Sequence, residues 1–255
     1  MQQLYEKIIQ SILDAGKRIK GRAGVIDDIG ITKKYLTEED IHIERDLKEL
    51  IAGMAPDHKF CAEEENKEFI NADDVWVVDP ISGTSTFIAG LPHFGIVVSH
   101  IHKGETIFAA VYDPLMDELF TAYKNGGSFL NGKKFTMPQG REPLSRILVC
   151  AAYDYVDPKV SQGVFESLSD VNLFRNRNSF GVNYCHVAYG RYSGVLALEK
   201  DSFPEYAGKL IIEEAGGIFT NKDAEKNIKF SDRVFIGGNI ETYKMIQEKT
   251  KEIFE

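Results

Sequence analysis

The sequence of 255 residues has few cysteines and no cluster of them. Its three cysteines, Cys61, Cys150 and Cys185, are far apart, odd in number and surrounded by apolar residues. A disulfide framework or a paired-cysteine metal site needs closer or even-numbered cysteines, so the spacing argues against both. We therefore expect reduced core cysteines in a cytoplasmic protein.

Long apolar runs are also missing. No run approaches the length of a membrane span, and polar and acidic residues occupy positions 1–7, where a signal peptide would have an apolar core. We expect no membrane partner.

Positive charge is in short supply as well. Lysine and arginine number 30 against 39 aspartates and glutamates, which leaves a net charge of −9. Sequence-independent binding to a phosphate backbone needs clustered basic residues, so we expect no nucleic-acid partner.

What is present is enough apolar material for a full core, at 43% of the residues. Apolar residues between Leu4 and Ile19 recur at helical spacing and predict an amphipathic first helix. The run Thr37-Glu38-Glu39-Asp40 resembles a capping box and predicts the start of a second helix. Asp40 then lies in the first turn, where a negative charge is favourable.

Residues 75–87 form the stretch around which the chain is organised, Val-Trp-Val-Val-Asp-Pro-Ile-Ser-Gly-Thr-Ser-Thr-Phe. Its apolar start predicts a buried strand that ends at Asp79-Pro80, followed by a tight turn and a helix start. Such a turn can hold a cation beside a phosphate oxygen, because amides at a helix start lack intrahelical partners. Strands, turns and helix caps of this composition are also common without any ligand.

A second acidic strand end precedes this stretch. Residues 60–62 predict a short strand that runs into Glu63-Glu64-Glu65. Three adjacent acids repel one another, so they are either solvated or neutralised by a cation.

The remaining sequence predicts a sheet meander over residues 95–123, followed by alternating helices and strands. A connector at residues 138–143 predicts a division into an N-terminal unit, residues 1–143, and a C-terminal unit, residues 144–255, packed as one body. The histidines His93, His100, His102 and His186 are scattered and have no serine or cysteine partner at a recognisable spacing. We expect each to be a packed or surface histidine.

Taken together, these motifs resemble the inositol monophosphatase family, which is grouped with fructose-1,6-bisphosphatase. The similarity rests on ordered segments at residues 60–64, 76–84, 126–134 and 207–217, and it spans most of the chain. It implies an α+β fold, a layered α/β/α/β/α sandwich. It also implies a homodimer and Mg²⁺-dependent hydrolysis of a small phosphate monoester, in which carboxylate-bound Mg²⁺ neutralises the phosphoryl group and activates water.

The resemblance also implies roles for individual residues. Glu63, Asp79 and the carbonyl of Ile81 correspond to ligands of the first metal ion, and Thr84 and Asp40 would orient or deprotonate the attacking water together with Glu63. The backbone amides of Gly83, Thr84 and Ser85 would bind the phosphate group. Glu199 would approach the hydroxyl groups of a polyol substrate.

The sequence departs from the family at the second metal ion. Ser82 and Pro204 stand where the family has two aspartates that bind this ion, and neither can replace an anionic ligand. Affinity for the second ion should therefore fall sharply. A single-residue gap would instead bring Glu205 beside the lost aspartate.

Two functions follow from this pattern. In the first, the protein is a phosphatase with one Mg²⁺ site and a weakened second site, acting on an inositol, sugar or nucleotide phosphate. In the second, it is a catalytically inactive family member that binds a phosphorylated ligand or a protein partner.

Overall fold

The computed structural model of this chain describes residues 1–31, 35–64, 72–139, 146–151, 157–176 and 178–254. In chain order its helices and strands are α1 Gln2–Lys20, α2 Glu38–Met54, β1 Lys59–Ala62, β2 Asp74–Ser82, α3 Thr84–Ile88, β3 Gly95–His102, β4 Glu105–Asp113, β5 Glu118–Tyr123, β6 Gly127–Leu130, β7 Lys133–Phe135, β8 Arg146–Ala151, α4 Pro158–Ser167, β9 Asn172–Asn176, α5 Phe180–Ala188, β10 Gly194–Leu198, α6 Glu205–Glu214, β11 Ile218–Asn221, β12 Val234–Gly238 and α7 Ile240–Phe254.

The strands form two sheets. The first has the order β1-β2-β3-β4-β5-β6-β7, in which only β1 and β2 pair in parallel; the remaining pairs are antiparallel and include the meander predicted over residues 95–123. The second has the order β11-β12-β10-β8-β9, with β8 parallel to both of its neighbours and β12 antiparallel to both of its own.

Three layers of helices enclose the two sheets. The apolar faces of α1 and α2 pack on the outer face of the first sheet, in a core that includes Ile8, Leu47 and Trp76. Helices α5 and α6 lie between the sheets, while α4 and α7 pack on the outer face of the second. The outer helices α1 and α2 each bury one apolar stripe against a sheet, whereas every residue of α5 is buried between the two sheets. The predicted α/β/α/β/α order of an α+β fold is confirmed.

Local signals explain the helix boundaries near the site. The predicted capping box at the start of α2 is present, with the Thr37 amide and hydroxyl both donating to Asp40 Oδ2, at 2.8 and 2.5 Å. Helix α6 ends, as its double glycine predicts, with Gly216 in the left-handed region at φ +94°. The start of α2 and the end of α6 therefore follow from residues that the sequence shows directly.

The prediction that Asp79-Pro80 ends the central strand is wrong, because β2 continues to Ser82. Its parallel partner β1 stops where Ala62 faces Val78, and the pairing with β3 shifts register between Asp79 and Ser82. Pro80 therefore lies where the strand has lost one neighbour and is irregularly paired with the other, so its missing N–H is tolerated. The short strands β6, β7 and β9 were likewise not predicted.

Other sequence expectations concern segments at the edges of these elements. Residues 140–145, which contain most of the predicted connector, lie outside the described residues, and the division into two units stays a prediction.

Cys61 and Cys185 are buried, and neither forms a disulfide within the described chain. None of the seven described helices has the length and apolar character needed to cross a membrane.

Candidate metal and phosphate site

Two acidic residues lie side by side where the parallel pairing of β1 with β2 stops. Ala62 of β1 faces Val78 of β2, so the next residues along, Glu63 and Asp79, emerge at the same sheet edge. The Glu63 amide donates to the Val78 carbonyl at 3.2 Å and keeps this alignment beyond the end of β1. Asp79 is 4% exposed, and the Glu63 side chain is 12% exposed. The strand register thus places two carboxylates in a sheltered position at one edge.

Thr84 joins this edge to helix α2. Its hydroxyl oxygen lies 2.8 Å from the Ile81 carbonyl oxygen and 3.2 Å from Asp40 Oδ1. A threonine hydroxyl has one hydrogen, so it donates to one of these two oxygens at a time and keeps lone pairs for another donor. The structure therefore brings Asp40, Thr84 and the Ile81 carbonyl together.

The Asp40 carboxyl is fully buried in this arrangement. Burial, together with the negative charges of Glu64 and Glu63, raises its pKa to about 7 against the hydrogen bonds from Thr37, which lower it. A carboxyl group with a pKa near neutrality can accept a proton under physiological conditions. The charges of Glu63 and Glu64 act on Asp40 because these residues follow β1 on the side that faces Asp40. A cation bound there would lower the pKa of Asp40.

The turn between β2 and α3 has the geometry that a glycine permits. Gly83 adopts the left-handed conformation at φ 88° and ψ 39° and caps the five-residue helix α3. A Cβ at this position would lie 2.9 Å from the Ser179 amide nitrogen and 3.1 Å from the His93 carbonyl oxygen. Only glycine therefore fits. Thr84 and the half-buried Ser85 follow in the first turn of α3, whose amides lack intrahelical acceptors.

A lysine that was not predicted reaches the acidic edge from the second sheet. Lys200 follows β10, and its Nζ lies 3.2 Å from Glu63 Oε1 and 3.7 Å from Asp201 Oδ2. Its side chain is 34% exposed. A divalent ion at Glu63 would compete with this ammonium for the same carboxylate. The sequence signal was the run Glu199-Lys200-Asp201 at a strand end, which by itself is typical of a solvated turn.

The residues at the expected second metal position offer few anionic ligands. Ser82 is buried at the end of β2, and Pro204 is the buried N-cap of α6. Glu205, the first residue of α6, is fully buried and accepts a hydrogen bond from the Tyr184 hydroxyl at 2.7 Å through Oε1. Its Oε2 has no hydrogen-bond partner in the described part of the chain.

Three acids gather at this end of the second sheet. Burial raises the pKa of Glu205 to about 8, with a further contribution from the charge of Asp201. Glu199 is 8% exposed, and burial, Glu205 and Asp201 raise its pKa well above the ordinary value. Without a cation, Glu205 is therefore largely protonated at neutral pH.

The whole chain, residues 1–255, matches the family model described as the inositol monophosphatase family. The chain belongs to this family. It is 31% identical over 233 residues to the Nus factor SuhB of Haemophilus influenzae, covering 88% of this chain and 87% of that protein. It is 30% identical over 233 residues to an inositol-1-monophosphatase of Rhizobium meliloti, covering 87% and 86%. A solved IMPase of Thermotoga maritima superposes with a TM-score of 0.83 at 25% identity, over 99% of this chain and 100% of that chain.

Inositol monophosphatases bind small phosphorylated substrates and depend on a metal ion, generally Mg²⁺. The first predicted donor set suits that ion, because Glu63, Asp79 and the Ile81 carbonyl supply hard oxygen ligands at one sheltered edge. The second set suits it less well, since Ser82 and Pro204 carry no charge and Glu205 is the one carboxylate in that set.

The histidines form two groups that the sequence did not reveal. His58, Asp74 and His100 place potential ligand atoms within 4.8 Å of one another, and His93, Asp113 and His186 do the same. Single-sequence reasoning had no signal for either group, because their members are separated by between 16 and 93 positions along the chain.

Proposed function

We propose that this protein is a Mg²⁺-dependent phosphomonoesterase for a small inositol, sugar or nucleotide phosphate, with a weakened second metal site. One observation carries the proposal: the Thr84 hydroxyl lies between Asp40 Oδ1 and the Ile81 carbonyl, and Asp40 is close enough to Glu63 for that charge to raise its pKa. A buried proton acceptor, a hydroxyl that can relay a proton and two carboxylates are the groups that activation of a water molecule requires.

In this proposal Glu63, Asp79 and the Ile81 carbonyl hold the ion, which when bound supplies charge neutralisation at the phosphoryl group and a more acidic water molecule. Asp40 would accept a proton from the attacking water molecule through the Thr84 hydroxyl. The hydroxyl can do so because its hydrogen points to Asp40 in one of its two arrangements and leaves a lone pair for the water.

Substrate contacts follow from the neighbouring elements. The amides of Gly83, Thr84 and Ser85 bind phosphate oxygens at the start of α3. Glu199, at the acidic end of the second sheet, receives hydrogen bonds from substrate hydroxyl groups. Glu63 remains a metal ligand that exchanges its partner Lys200 for the ion.

A second candidate function is that of an inactive family member which binds a phosphorylated ligand or a protein partner. Specific observations favour it: Ser82 and Pro204 leave the second site without two carboxylates, and Lys200 already neutralises part of the charge on Glu63. One of the similar proteins is named a Nus factor and not a phosphatase. The homodimer and the cytoplasmic location stay predictions.

The first test is a screen of inositol, sugar and nucleotide monophosphates at saturating Mg²⁺. The matched variants are Thr84→Val, which keeps the shape and loses the hydroxyl, and Thr84→Ser, which keeps the hydroxyl. We expect turnover that falls by about 100-fold or more in Thr84→Val, the lower end of what proton transfer contributes, and stays within about tenfold in Thr84→Ser. Equal rates in the two variants would contradict the relay through Thr84.

The second test restores the family ligands with the double variant Ser82→Asp, Pro204→Asp. Aspartate is a favourable N-cap residue, so the change at Pro204 should preserve the start of α6. We expect a higher rate and a lower Mg²⁺ requirement in the variant. Activity that appears only in the variant would favour the inactive-member function.

Calorimetric titration of Mg²⁺ or Mn²⁺ into chelator-treated protein addresses the metal sites directly. We expect one tight ion and a weak second one. Two tight sites of equal strength would be inconsistent with the weakened second site.

A further inference from the structure

The second histidine group lies where three segments meet, beside the turn at residues 82–85 between β2 and α3, here called the phosphate turn. His93 precedes β3, Asp113 ends β4 and His186 lies near the end of α5. Their potential ligand atoms lie within 4.8 Å of one another, and the two imidazole rings meet edge to face with centroids 5.6 Å apart. Asp113 is 1% exposed and His186 is 5% exposed, while His93 is half-buried. The group is thus sheltered, with one member at its outer edge.

Each of these side chains keeps a buried polar atom without a hydrogen-bond partner among the described residues, namely His93 Nδ1, Asp113 Oδ2 and His186 Nε2. Asp113 Oδ1 is already engaged, because it accepts the amides of Leu115 and Met116 at 2.9 and 3.0 Å. A buried polar atom without a partner is destabilising. Three such atoms in one group indicate a shared partner that satisfies all of them.

We propose that His93, Asp113 and His186 bind a transition-metal ion such as Zn²⁺, at a site distinct from the carboxylate edge at Glu63 and Asp79. Two imidazole nitrogens and one carboxylate oxygen are a common set of three protein ligands for Zn²⁺. Mg²⁺ prefers all-oxygen ligands and retains its water molecules, so this donor set discriminates against the ion expected at the carboxylate edge.

The electrostatic surroundings suit an imidazole ligand. Burial lowers the pKa of His186 to about 3, with further contributions from the charges of Arg191 and His93, so the ring is neutral and able to coordinate. The positive charge of Arg191 is neutralised by an ion pair. Both of its terminal nitrogens pair with the Glu118 carboxylate, one of them at 2.6 Å.

The other histidine group provides a contrast within the same molecule. Asp74 Oδ1 accepts from His100 Nε2 at 2.9 Å and lies 2.8 Å from His102 Nδ1. The Trp76 indole donates to His58 Nδ1 at 3.1 Å. These polar atoms already have hydrogen-bond partners without an ion. We therefore assign His58, Asp74 and His100 to a hydrogen-bonded network and use them as the control group.

An ion at the proposed site would brace the phosphate turn. The His93 carbonyl accepts the Ser179 amide at 3.1 Å, and both groups surround Gly83. Coordination of His93 and His186 would connect this loop to α5, the helix that Ser179 caps. The ion would therefore act as a structural link between the first sheet and the middle helical layer.

The test uses the full-length protein after chelator treatment, in excess Mg²⁺ so that the carboxylate edge is saturated. Co²⁺ is titrated while its visible absorption is recorded, and Zn²⁺ is titrated by calorimetry. We expect one tightly bound equivalent of either ion and a higher Tm with Zn²⁺. Affinity should fall by more than about 100-fold in His186→Gln and in Asp113→Asn, since each removes a direct ligand and loss of a supporting group already lowers affinity 10- to 100-fold.

Matched variants locate the ion. The bound equivalent should persist in His100→Gln, which disrupts the control group, and in Asp79→Asn, which disrupts the carboxylate edge. Trp76 stacks on His100 with ring centroids 4.5 Å apart, so Cu²⁺ at the control group would quench the fluorescence of this single tryptophan. If His186→Gln does not fold by circular dichroism, the half-buried His93→Ala variant replaces it.

Three results would overturn the proposal. One is the absence of a tight equivalent of Co²⁺ or Zn²⁺, which would mean that water alone satisfies the three atoms. Another is loss of the ion in His100→Gln or Asp79→Asn with retention in His186→Gln. The last is strong quenching of Trp76 on the first equivalent of Cu²⁺.

Discussion

The buried Glu205 leads to a prediction about how stability depends on pH. Its folded-state pKa is raised from 4.5 to about 8 by burial, so between these values the folded chain holds a proton that the unfolded chain has lost. Stability associated with this group is fully present below pH 4.5 and declines as pH rises toward 8. One proton corresponds to about 1.4 kcal/mol per pH unit. With a chelator present at both pH values, the free energy of unfolding should fall by about 2.5 kcal/mol from pH 5.5 to 7.5.

The variant Glu205→Gln isolates this effect. Glutamine resembles the protonated acid in shape and keeps an oxygen that can accept from the Tyr184 hydroxyl. We expect the variant to be more stable than the parent chain by about 1.5 kcal/mol at pH 5.5, where the unfolded parent has already lost most of this proton, and by about 4 kcal/mol at pH 7.5. Because the charge of Glu205 also raises the pKa of Glu199, the difference between the two chains reports the linked titration of this acidic pair.

Urea unfolding with a chelator, at both pH values, measures these free energies. Parallel pH dependence of the two chains would refute the assignment of a proton to Glu205. The same experiment with Mg²⁺ tests whether Glu205 replaces the lost aspartate of the family. A metal-bound carboxylate is charged, so Mg²⁺ should then flatten the decline in the parent chain and leave the pH dependence of Glu205→Gln unchanged.

Other predictions concern packing, acid stability and metal removal. Gly208→Ala should destabilise the chain by about 1 to 3 kcal/mol, because its Cβ would lie 2.3 Å from the Tyr184 ring. Gly53→Ala on α2 has no atom within 4 Å of the new Cβ, so it should be neutral or stabilising by up to about 1 kcal/mol. Urea unfolding of the two variants measures both changes. The pKa of His100 is lowered from 6.5 to about 4, chiefly by burial, so the unfolded chain takes up this proton first and stability should fall by about 3 kcal/mol as pH drops from 6.5 to 4. NMR titration of the ring would contradict this with a midpoint near 6.5. Adding Mg²⁺ to chelated protein should raise the free energy of unfolding by about 2.7 kcal/mol at a concentration 100 times Kd; an unchanged Tm would argue against a metal site in the folded chain.

Several features of this protein could be read from its sequence, because they depend on neighbouring residues. The apolar spacing of α1 predicts an amphipathic helix, and the capping residues Thr37 and Asp40 predict where α2 begins. Both signals are local and do not depend on the rest of the fold. The ordered motifs around Asp79 and Gly83 identified the family, and with it the layered fold. The same comparison revealed that Ser82 and Pro204 replace carboxylates.

Only the tertiary structure decided which side chains meet. Thr84 approaches Asp40 across 44 positions, and Lys200 reaches Glu63 across 137, because strand register and the packing of the two sheets bring these residues together. The continuation of β2 through Pro80 depended on where its neighbour β1 stops. Local patterns encode the tendency of a segment to be a helix or strand. The pairing of distant segments, and hence the burial and pKa of residues such as Glu205, is determined by the packed layers.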